Sequence, residues 1–278
     1  MSSSPLLAVA VSGRGLVEPG EPVLAADDEG FTRGRAAFET MRVYDGRPFR
    51  FEQHLARLAA SAERIGLEPP DAGEAERLAA LALEHSGTLE AVLRLYWTPG
   101  PPGGEPCAIA LVSAIPDWIE GARQRGQRLA SLLQPRRSAP WLLPGAKSTS
   151  YAVSIAAEAE AKARGADDAI FVDQDGIVLE GPVTNIWWRE GDVLLTPSLE
   201  VGILAGETRA ALLELAAGSG QVVEEGVFPL ERLLGADEAF TSSSIRELMP
   251  VVAVDGRPIS RGPVAAALQE ALRRAARA

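Results

Sequence analysis

The sequence predicts an α+β protein with two domains, and three observations carry that prediction. The first part of the chain reads as strands, then helices, then strands, an order typical of α+β folds. A polar stretch at 115–127 then interrupts the strands, which indicates a domain boundary. A length of 278 residues provides material for two hydrophobic cores.

The N-terminal half is expected to form a domain over residues 1–116. A strand-like run, LLAVAV, comes first, and the DG pair in AAFETMRVYDGRPF predicts a hairpin turn. Apolar residues at helical spacing predict a helix that ends at Gly66, followed by a second helix in AGEAERLAALALEHSG. Two further strands are predicted in AVLRLYWTPG and EPCAIALVSAI.

Residues 117–127 are expected to be an interdomain linker, and residues 128–278 a C-terminal domain. Helices are predicted where apolar residues recur at helical spacing, at 150–165, 206–218 and 264–278. Short strands joined by tight turns are predicted around them, at 168–173, 177–181, 185–189, 193–197, 221–228, 237–244 and 249–256.

Charge and cysteine usage argue against several classes of function. The net charge of −11 argues against nucleic acid or an anionic membrane as a partner, and no apolar run is long enough to span a bilayer. The single cysteine, Cys107, excludes an intrachain disulfide framework and, with only two distant histidines, makes a metal site unexpected. Because the N-terminus also lacks a signal-peptide pattern, we expect a cytoplasmic protein.

Lysine is nearly absent, which draws attention to the positions where it occurs. Among 27 basic residues, Lys147 and Lys162 are the only lysines. Lys162 follows Glu158 by four residues on a predicted helix, so a solvated ion pair explains it. Lys147 has uncharged, partly apolar flanks, and a desolvated lysine gives up its proton readily, whereas Arg stays protonated. The local sequence leaves two interpretations of Lys147, a Schiff-base nucleophile or an ordinary loop lysine.

Two further features could belong to a functional site, although each also has an ordinary structural explanation. Glu180 lies in the otherwise uncharged stretch VLEGPVTNIWW, where it needs either a partner or the surface. Gly206, Glu207 and Thr208 begin a predicted helix. The N–H groups and hydroxyl at that helix start could bind a phosphate or simply cap the helix.

Taken in order, KSTSY, EGPVTNIWW, GILAGETR and FTSSSIRELMPV resemble the class IV (fold-type IV) aminotransferases, which use pyridoxal phosphate. The segment AFETMRVYDGRPFRFEQHLARL resembles the N-terminal hairpin and helix of that family, so the resemblance covers residues 10–265. It implies a two-domain, D-amino-acid aminotransferase-like fold. It also implies a homodimer whose active sites borrow residues from the second subunit.

The resemblance implies a role for each matching residue. Lys147 would hold the cofactor covalently and move the proton of the substrate Cα, and Glu180 would face the pyridine nitrogen. The residues that would bind the phosphate are Arg57, Glu207 and Thr208 in the 204–208 segment, and Ser244. Because a carboxylate repels a phosphate, the side chain of Glu207 is expected to point away from it. His54 also matches the family pattern, and helix packing is its expected role.

Within that family, the sequence favours 4-amino-4-deoxychorismate lyase, an enzyme of folate biosynthesis. The segment FETMR, which contains Thr40, is more similar to the lyase pattern than to that of branched-chain enzymes. Arg94 and Arg246 could bind the two carboxylates of the substrate, because an Arg fork pairs well with a carboxylate. Arg246 could equally form an ion pair with a nearby acid. Tyr151 is a further candidate contact to substrate or cofactor, or else an aromatic spacer.

Two alternatives to the lyase remain. An aminotransferase for a branched-chain or other amino acid, with a 2-oxo acid acceptor, would use the same cofactor residues. Pro99, where D-amino-acid transaminases carry Arg, counts against that branch of the family. A ligand-binding protein that kept the fold without activity is a hypothesis of another class, and the retention of Lys147 in an Arg-rich chain argues against it.

Overall fold

A computed structural model of the chain describes residues 4–134 and 145–278. The chain divides into two compact units. The first comprises Met1–Pro116 with Ala146–Tyr151, and the second Asp117–Gly145 with Ala152–Ala278. Within the described residues, no helix is long and apolar enough to cross a membrane, and no group of three or more metal-ligating side chains is present.

The first unit contains a six-stranded antiparallel sheet with helices packed on it. Its strands are β1 Leu6–Val11, β2 Gly15–Val17, β3 Ala37–Tyr44, β4 Arg47–Pro48, β5 Ala91–Thr98 and β6 Cys107–Ser113. Its helices are α1 Glu29–Thr32, α2 Phe51–Arg64 and α3 Ala72–Ser86. The strand order is β2-β1-β6-β5-β3-β4, and every neighbouring pair is antiparallel.

Local sequence explains most of these elements. Asp45 and Gly46 both have positive φ, 49° and 78°, as the two-residue hairpin turn between β3 and β4 requires. Helix α3 begins at a cap in which Asp71 accepts the N–H of Glu74, and it ends at Gly87 in the left-handed region. Alternate residues of β3, β5 and β6 pack on α2 and α3 to form the core, and the intervening residues lie on the opposite face of the sheet.

The second unit contains a mixed sheet. Its strands are β7 Gln127–Leu133, β8 Asp168–Val172, β9 Asn185–Glu190, β10 Val193–Pro197, β11 Val222–Gly226, β12 Glu238–Ser243, β13 Glu247–Val254 and β14 Arg257–Pro258. Its helices are α4 Trp118–Arg125, α5 Ala152–Ala163, α6 Glu207–Ser219, α7 Leu230–Leu234 and α8 Val264–Ala276. The order is β11-β10-β9-β12-β13-β7-β8, with β14 beside β13. The pairs β10·β11, β13·β7 and β7·β8 are parallel.

Three segments differ from the sequence expectations. Much of the expected linker is helix α4, which buries Ile119 and Ala122 on one side. The run 177–181 is no regular strand, because it makes only isolated bridges, such as Val178 with Val172. The segment with Lys147 groups with the first unit rather than with residues 128–278, because Ala146–Tyr151 runs beside the start of β3.

Candidate active site

Lys147 is held beside β3 by its backbone. Its carbonyl accepts the N–H of Phe38 at 3.0 Å, and its own N–H donates to the Ser61 hydroxyl at 3.1 Å. Ser148 forms an antiparallel bridge with Ala37. Because Ser61 is buried on α2, the position of Lys147 is fixed by both the sheet and the helix of the first unit. The apolar residues 141–143 before it lie outside the described residues.

The side chain of Lys147 lies against aromatic rings. Its Nζ is 4.2 Å from the centroid of the Phe38 ring, within the range of a cation–π contact. The Phe38 ring stacks on Tyr96 at a centroid distance of 5.5 Å and meets the edge of Tyr151 at 5.4 Å. The structure therefore brings two of the predicted site residues, Lys147 and Tyr151, to the same ring.

Thr40 and Arg94 lie on the same face of this sheet. They are directly opposite each other in the β3·β5 pair, two residues along from Phe38 and Tyr96, so their side chains share that face. Arg94 donates to the Ser113 hydroxyl at 3.0 Å, and within the described part of the chain it forms no ion pair. A half-buried guanidinium with only a hydroxyl partner can still bind a carboxylate.

Arg57 belongs to a buried network on the other face of the sheet. Its Nε and a terminal nitrogen donate to the two carboxylate oxygens of Glu39, at 2.7 and 2.8 Å. The Nδ1 atom of His54 lies 2.6 Å from the same carboxylate. Glu39 is fully buried and His54 nearly so. The family position of His54 thus has a physical role, as a partner of the acid that holds Arg57.

The Glu39 carboxyl has a strongly perturbed pKa. Burial raises its pKa, but the hydrogen bonds and charge of Arg57, with a smaller contribution from His54, outweigh burial and lower the pKa to about 2. Glu39 is therefore ionised at any physiological pH. It fixes the orientation of the Arg57 guanidinium.

The second unit holds Glu180 next to the loop before α6. Glu180 is buried, and one of its carboxylate oxygens accepts the N–H of Leu204 at 3.1 Å. Gly206 is the N-cap of α6 and has no capping side chain, Glu207 is the first helical residue, and Thr208 behind it is 6% exposed. The N–H groups of the first turn of a helix are suited to an anion.

Ser244 and Arg246 occupy the tight turn between β12 and β13. Arg246 donates to Asp168 at 2.5 Å and lies over the Trp118 ring, 5.3 Å from its centroid. Asp168 is 3% exposed. Arg246 therefore forms an ion pair with a buried acid of its own unit, which is one of the two alternatives that the sequence left open.

Two residues of these networks were missed by the sequence interpretation. Glu39 lies within FETMR, and only the alternation along β3 could have placed it on the face towards Arg57. Asn185 lies five residues after Glu180 and contacts both Glu180 and the loop before α6. A buried amide at the start of an apolar strand, NIWW, was the available signal.

Comparison with known proteins decides the family. Residues 36–254 match the class IV amino-transferase family model. The chain belongs to the class IV aminotransferase family. This family member is 36% identical over 271 residues to a bifunctional aminodeoxychorismate lyase / D-amino acid transaminase of Mycobacterium tuberculosis, covering 92% of this chain and 94% of that protein. It is 29% identical to an aminodeoxychorismate lyase of Bacillus subtilis, covering 88% and 86% of the two chains.

Solved structures agree with this assignment. A hypothetical aminotransferase from Mycobacterium tuberculosis in its PLP-bound form has a TM-score of 0.90 and 36% identity to this class IV aminotransferase. Its form with α-ketoglutarate and PMP has a TM-score of 0.91 and 35% identity. Both cover 97% of this chain and 98% of the other. The predicted α+β class and fold-type IV architecture are confirmed.

Proposed function

We propose that this chain is a pyridoxal-phosphate enzyme that releases pyruvate and 4-aminobenzoate from 4-amino-4-deoxychorismate. The observation that carries the proposal is Lys147, whose backbone is fixed beside β3 and whose amine lies on the Phe38 ring. An amine held in this way suits covalent attachment of a carbonyl compound. The names of the relatives from Mycobacterium tuberculosis and Bacillus subtilis support the lyase reaction.

The residues present suit the cofactor in chemical type. A lysine amine, a buried carboxylate and a helix start with N–H groups and a hydroxyl are what a pyridine aldehyde with a phosphate needs. Lys147 would attach the cofactor and Glu180 would hold the pyridine nitrogen protonated. The phosphate would be bound by Arg57, Ser244, Thr208 and the backbone at Glu207. When bound, pyridoxal phosphate withdraws electrons from the substrate Cα.

Lys147 is also the proposed proton carrier. A neutral amine takes the Cα proton of the substrate and returns it later, which Arg cannot do because it stays protonated. The contact between the Lys147 amine and the Phe38 ring keeps the amine at one place on the face of the sheet. A proton acceptor at a fixed place accelerates proton transfer.

Arg94 is the proposed carboxylate-binding residue, and Thr40 and Tyr151 are proposed to contact the substrate beside it. Arg94 shares the sheet face of Lys147 and lacks an acidic partner among the described residues. The sequence also suggested Arg246 as a carboxylate-binding residue, with an ion pair to a nearby acid as the alternative. Its pairing with the buried Asp168 supports a structural role instead.

Transamination is the second candidate function. The relative from Mycobacterium tuberculosis is named for D-amino acid transamination as well as lyase activity, and a neighbouring structure contains α-ketoglutarate and PMP. We infer that the same site could transfer an amino group from a D-, branched-chain or other amino acid to a 2-oxo acid. Pro99 still counts against a D-amino acid as the main substrate.

One assay separates these two functions. Purified protein given 4-amino-4-deoxychorismate should release pyruvate and 4-aminobenzoate, and Lys147→Ala should lower that rate at least ~10²-fold. The matched control is Lys162→Ala, because Lys162 is exposed on α5 and should not affect the rate. Transfer from amino acids to 2-oxoglutarate, with no 4-aminobenzoate formed, would replace the lyase proposal by the transaminase.

We also propose that the protein is a cytoplasmic homodimer that takes part in folate biosynthesis. The single cysteine supports a reducing compartment. Light scattering after gel filtration should give twice the 29.3 kDa chain mass, and a monomer at micromolar concentration would contradict the dimer. A requirement for added 4-aminobenzoate when the gene is deleted would support the pathway.

A further inference from the structure

Asn185 connects two parts of the second unit that the proposed function assigns to opposite ends of the cofactor. It is the first residue of β9 and is 5% exposed. Its Nδ2 donates to the Leu204 carbonyl at 3.1 Å and lies 3.5 Å from Glu180 Oε2. The Leu204 N–H donates to that same Oε2 atom. The amide of Asn185 and the backbone of Leu204 thus share one oxygen of Glu180.

The other end of the Asn185 amide faces Gly206. A Cβ atom placed on Gly206 would lie 2.1 Å from Asn185 Oδ1, so no side chain fits there while Asn185 keeps its position. The loop therefore rests on Asn185 at two points, the Leu204 carbonyl and the Gly206 Cα. Gly206 is the N-cap of α6, and Thr208 follows in the first turn of that helix.

We propose that Asn185 is a positioning residue that sets the separation between the Glu180 carboxylate and the start of α6. The proposal rests on the proposed function, in which Glu180 meets the cofactor ring and the start of α6 meets its phosphate. A cofactor that joins ring and phosphate covalently needs both groups at one fixed separation. A ligand that carries only the ring or only the phosphate does not need this fixed separation.

That difference separates positioning from ordinary structural support. If Asn185 only stabilised the unit, its loss would lower the melting temperature. The loss of affinity for the joined ligand would then be no greater than the product of the losses for its two separate parts. If it sets a separation, its loss weakens the joined ligand more than the two separate parts combined. Asn185 is buried, so loss of the hydrogen bonds that its side-chain amide makes is expected to lower the affinity for the cofactor measurably.

The experiment measures three affinities of the full-length, cofactor-free protein, for pyridoxal phosphate, for pyridoxal and for inorganic phosphate. In Asn185→Leu, we expect the affinity for pyridoxal phosphate to fall about thirtyfold or more. Those for pyridoxal and phosphate should each fall by about threefold or less. Gly206→Ala, which displaces Asn185 from the other side, should give the same pattern.

Two control variants match these changes. Thr196→Val removes a buried hydrogen bond to the Ile186 carbonyl in the neighbouring strand, and Gly218→Ala adds a methyl group where nothing lies within 4 Å. Both should keep all three affinities. Circular dichroism and melting curves show that each variant is folded.

The proposal is overturned if pyridoxal phosphate loses no more affinity than the product of the losses of its two parts. It is also overturned if Asn185→Leu and Thr196→Val have the same three affinities. If the wild-type protein binds pyridoxal phosphate and only the Asn185 pattern is missing, the proposed function stands. If the wild-type protein does not bind it at all, both fall.

Discussion

Replacing Glu39 by Gln tests the electrostatic account of the first unit. The change removes the charge that pairs with Arg57, whose side chain is only 11% exposed. The pKa of Glu39 is lowered from its ordinary value of 4.5 to about 2. That difference corresponds to stabilisation on the order of 3 kcal/mol at neutral pH, because one pKa unit is about 1.4 kcal/mol. Loss of one partner of a buried ion pair costs a similar amount, about 3–5 kcal/mol.

The sign of the pH dependence follows from the lowered pKa. The ionised carboxylate is favoured in the folded state, so its contribution is fully present above about pH 4.5 and is lost as the pH falls towards 2. The difference in stability between wild type and Glu39→Gln should therefore shrink from about 3 kcal/mol at pH 7 to about 1–2 kcal/mol at pH 3.

The assay is urea unfolding of the cofactor-free protein, followed by circular dichroism at the two pH values. Glu190→Gln is the matched control. Arg232 donates to Glu190 through its Nε and one terminal nitrogen, as Arg57 does to Glu39, but at a part-exposed site. A pair exposed to solvent contributes about 1 kcal/mol or less. Equal losses of stability in the two variants, or a Glu39→Gln loss that does not change with pH, would show that the buried pair of Glu39 with Arg57 contributes no more than an exposed pair.

Three further predictions concern other residues. Arg94→Ala should raise KM about 10- to 150-fold for a substrate with an additional carboxylate, with a smaller effect on kcat, as steady-state kinetics would show. An unchanged KM would mean that Arg94 does not bind the substrate. Arg246→Ala should lower the free energy of unfolding in urea by about 3 kcal/mol, because it leaves buried Asp168 without its ion-pair partner, while KM stays unchanged. A raised KM would mean that Arg246 binds the substrate. Burial raises the pKa of the Cys107 thiol, so iodoacetamide should modify the native protein at pH 8 much more slowly than the unfolded protein, and equal rates would contradict that burial.

Much of the fold was predictable because its signals are local. The Asp45-Gly46 turn and the glycines that end α2 and α3 act on their own backbone, so the hairpin and both helices were predicted from short stretches. The short helix α4 was missed because its buried side has only Ile119 and Ala122, too few to show a period. The run at 177–181 has strand-like composition but pairs only through isolated bridges.

The sequence suggested candidate site residues one by one, but not the networks of contacts that hold them. The scarcity of lysine and the family resemblance single out Lys147 and Glu180 from the sequence. The partners of these residues depend on register, which brings Phe38 to Lys147. The sequence likewise did not show that Arg246 meets Asp168, since the two lie 78 positions apart and become neighbours only through the fold. Residue type can suggest the chemistry, but the partners that tune it are set by tertiary structure.

Whether Lys147 carries the cofactor can be measured directly. The purified protein is loaded with pyridoxal phosphate, reduced with borohydride, digested and mapped by mass spectrometry. We expect the visible absorbance to be bleached and the phosphopyridoxyl mass to be found on the peptide that contains Lys147. A label on Lys162, the only other lysine, or no label on either, would show that Lys147 does not carry the cofactor.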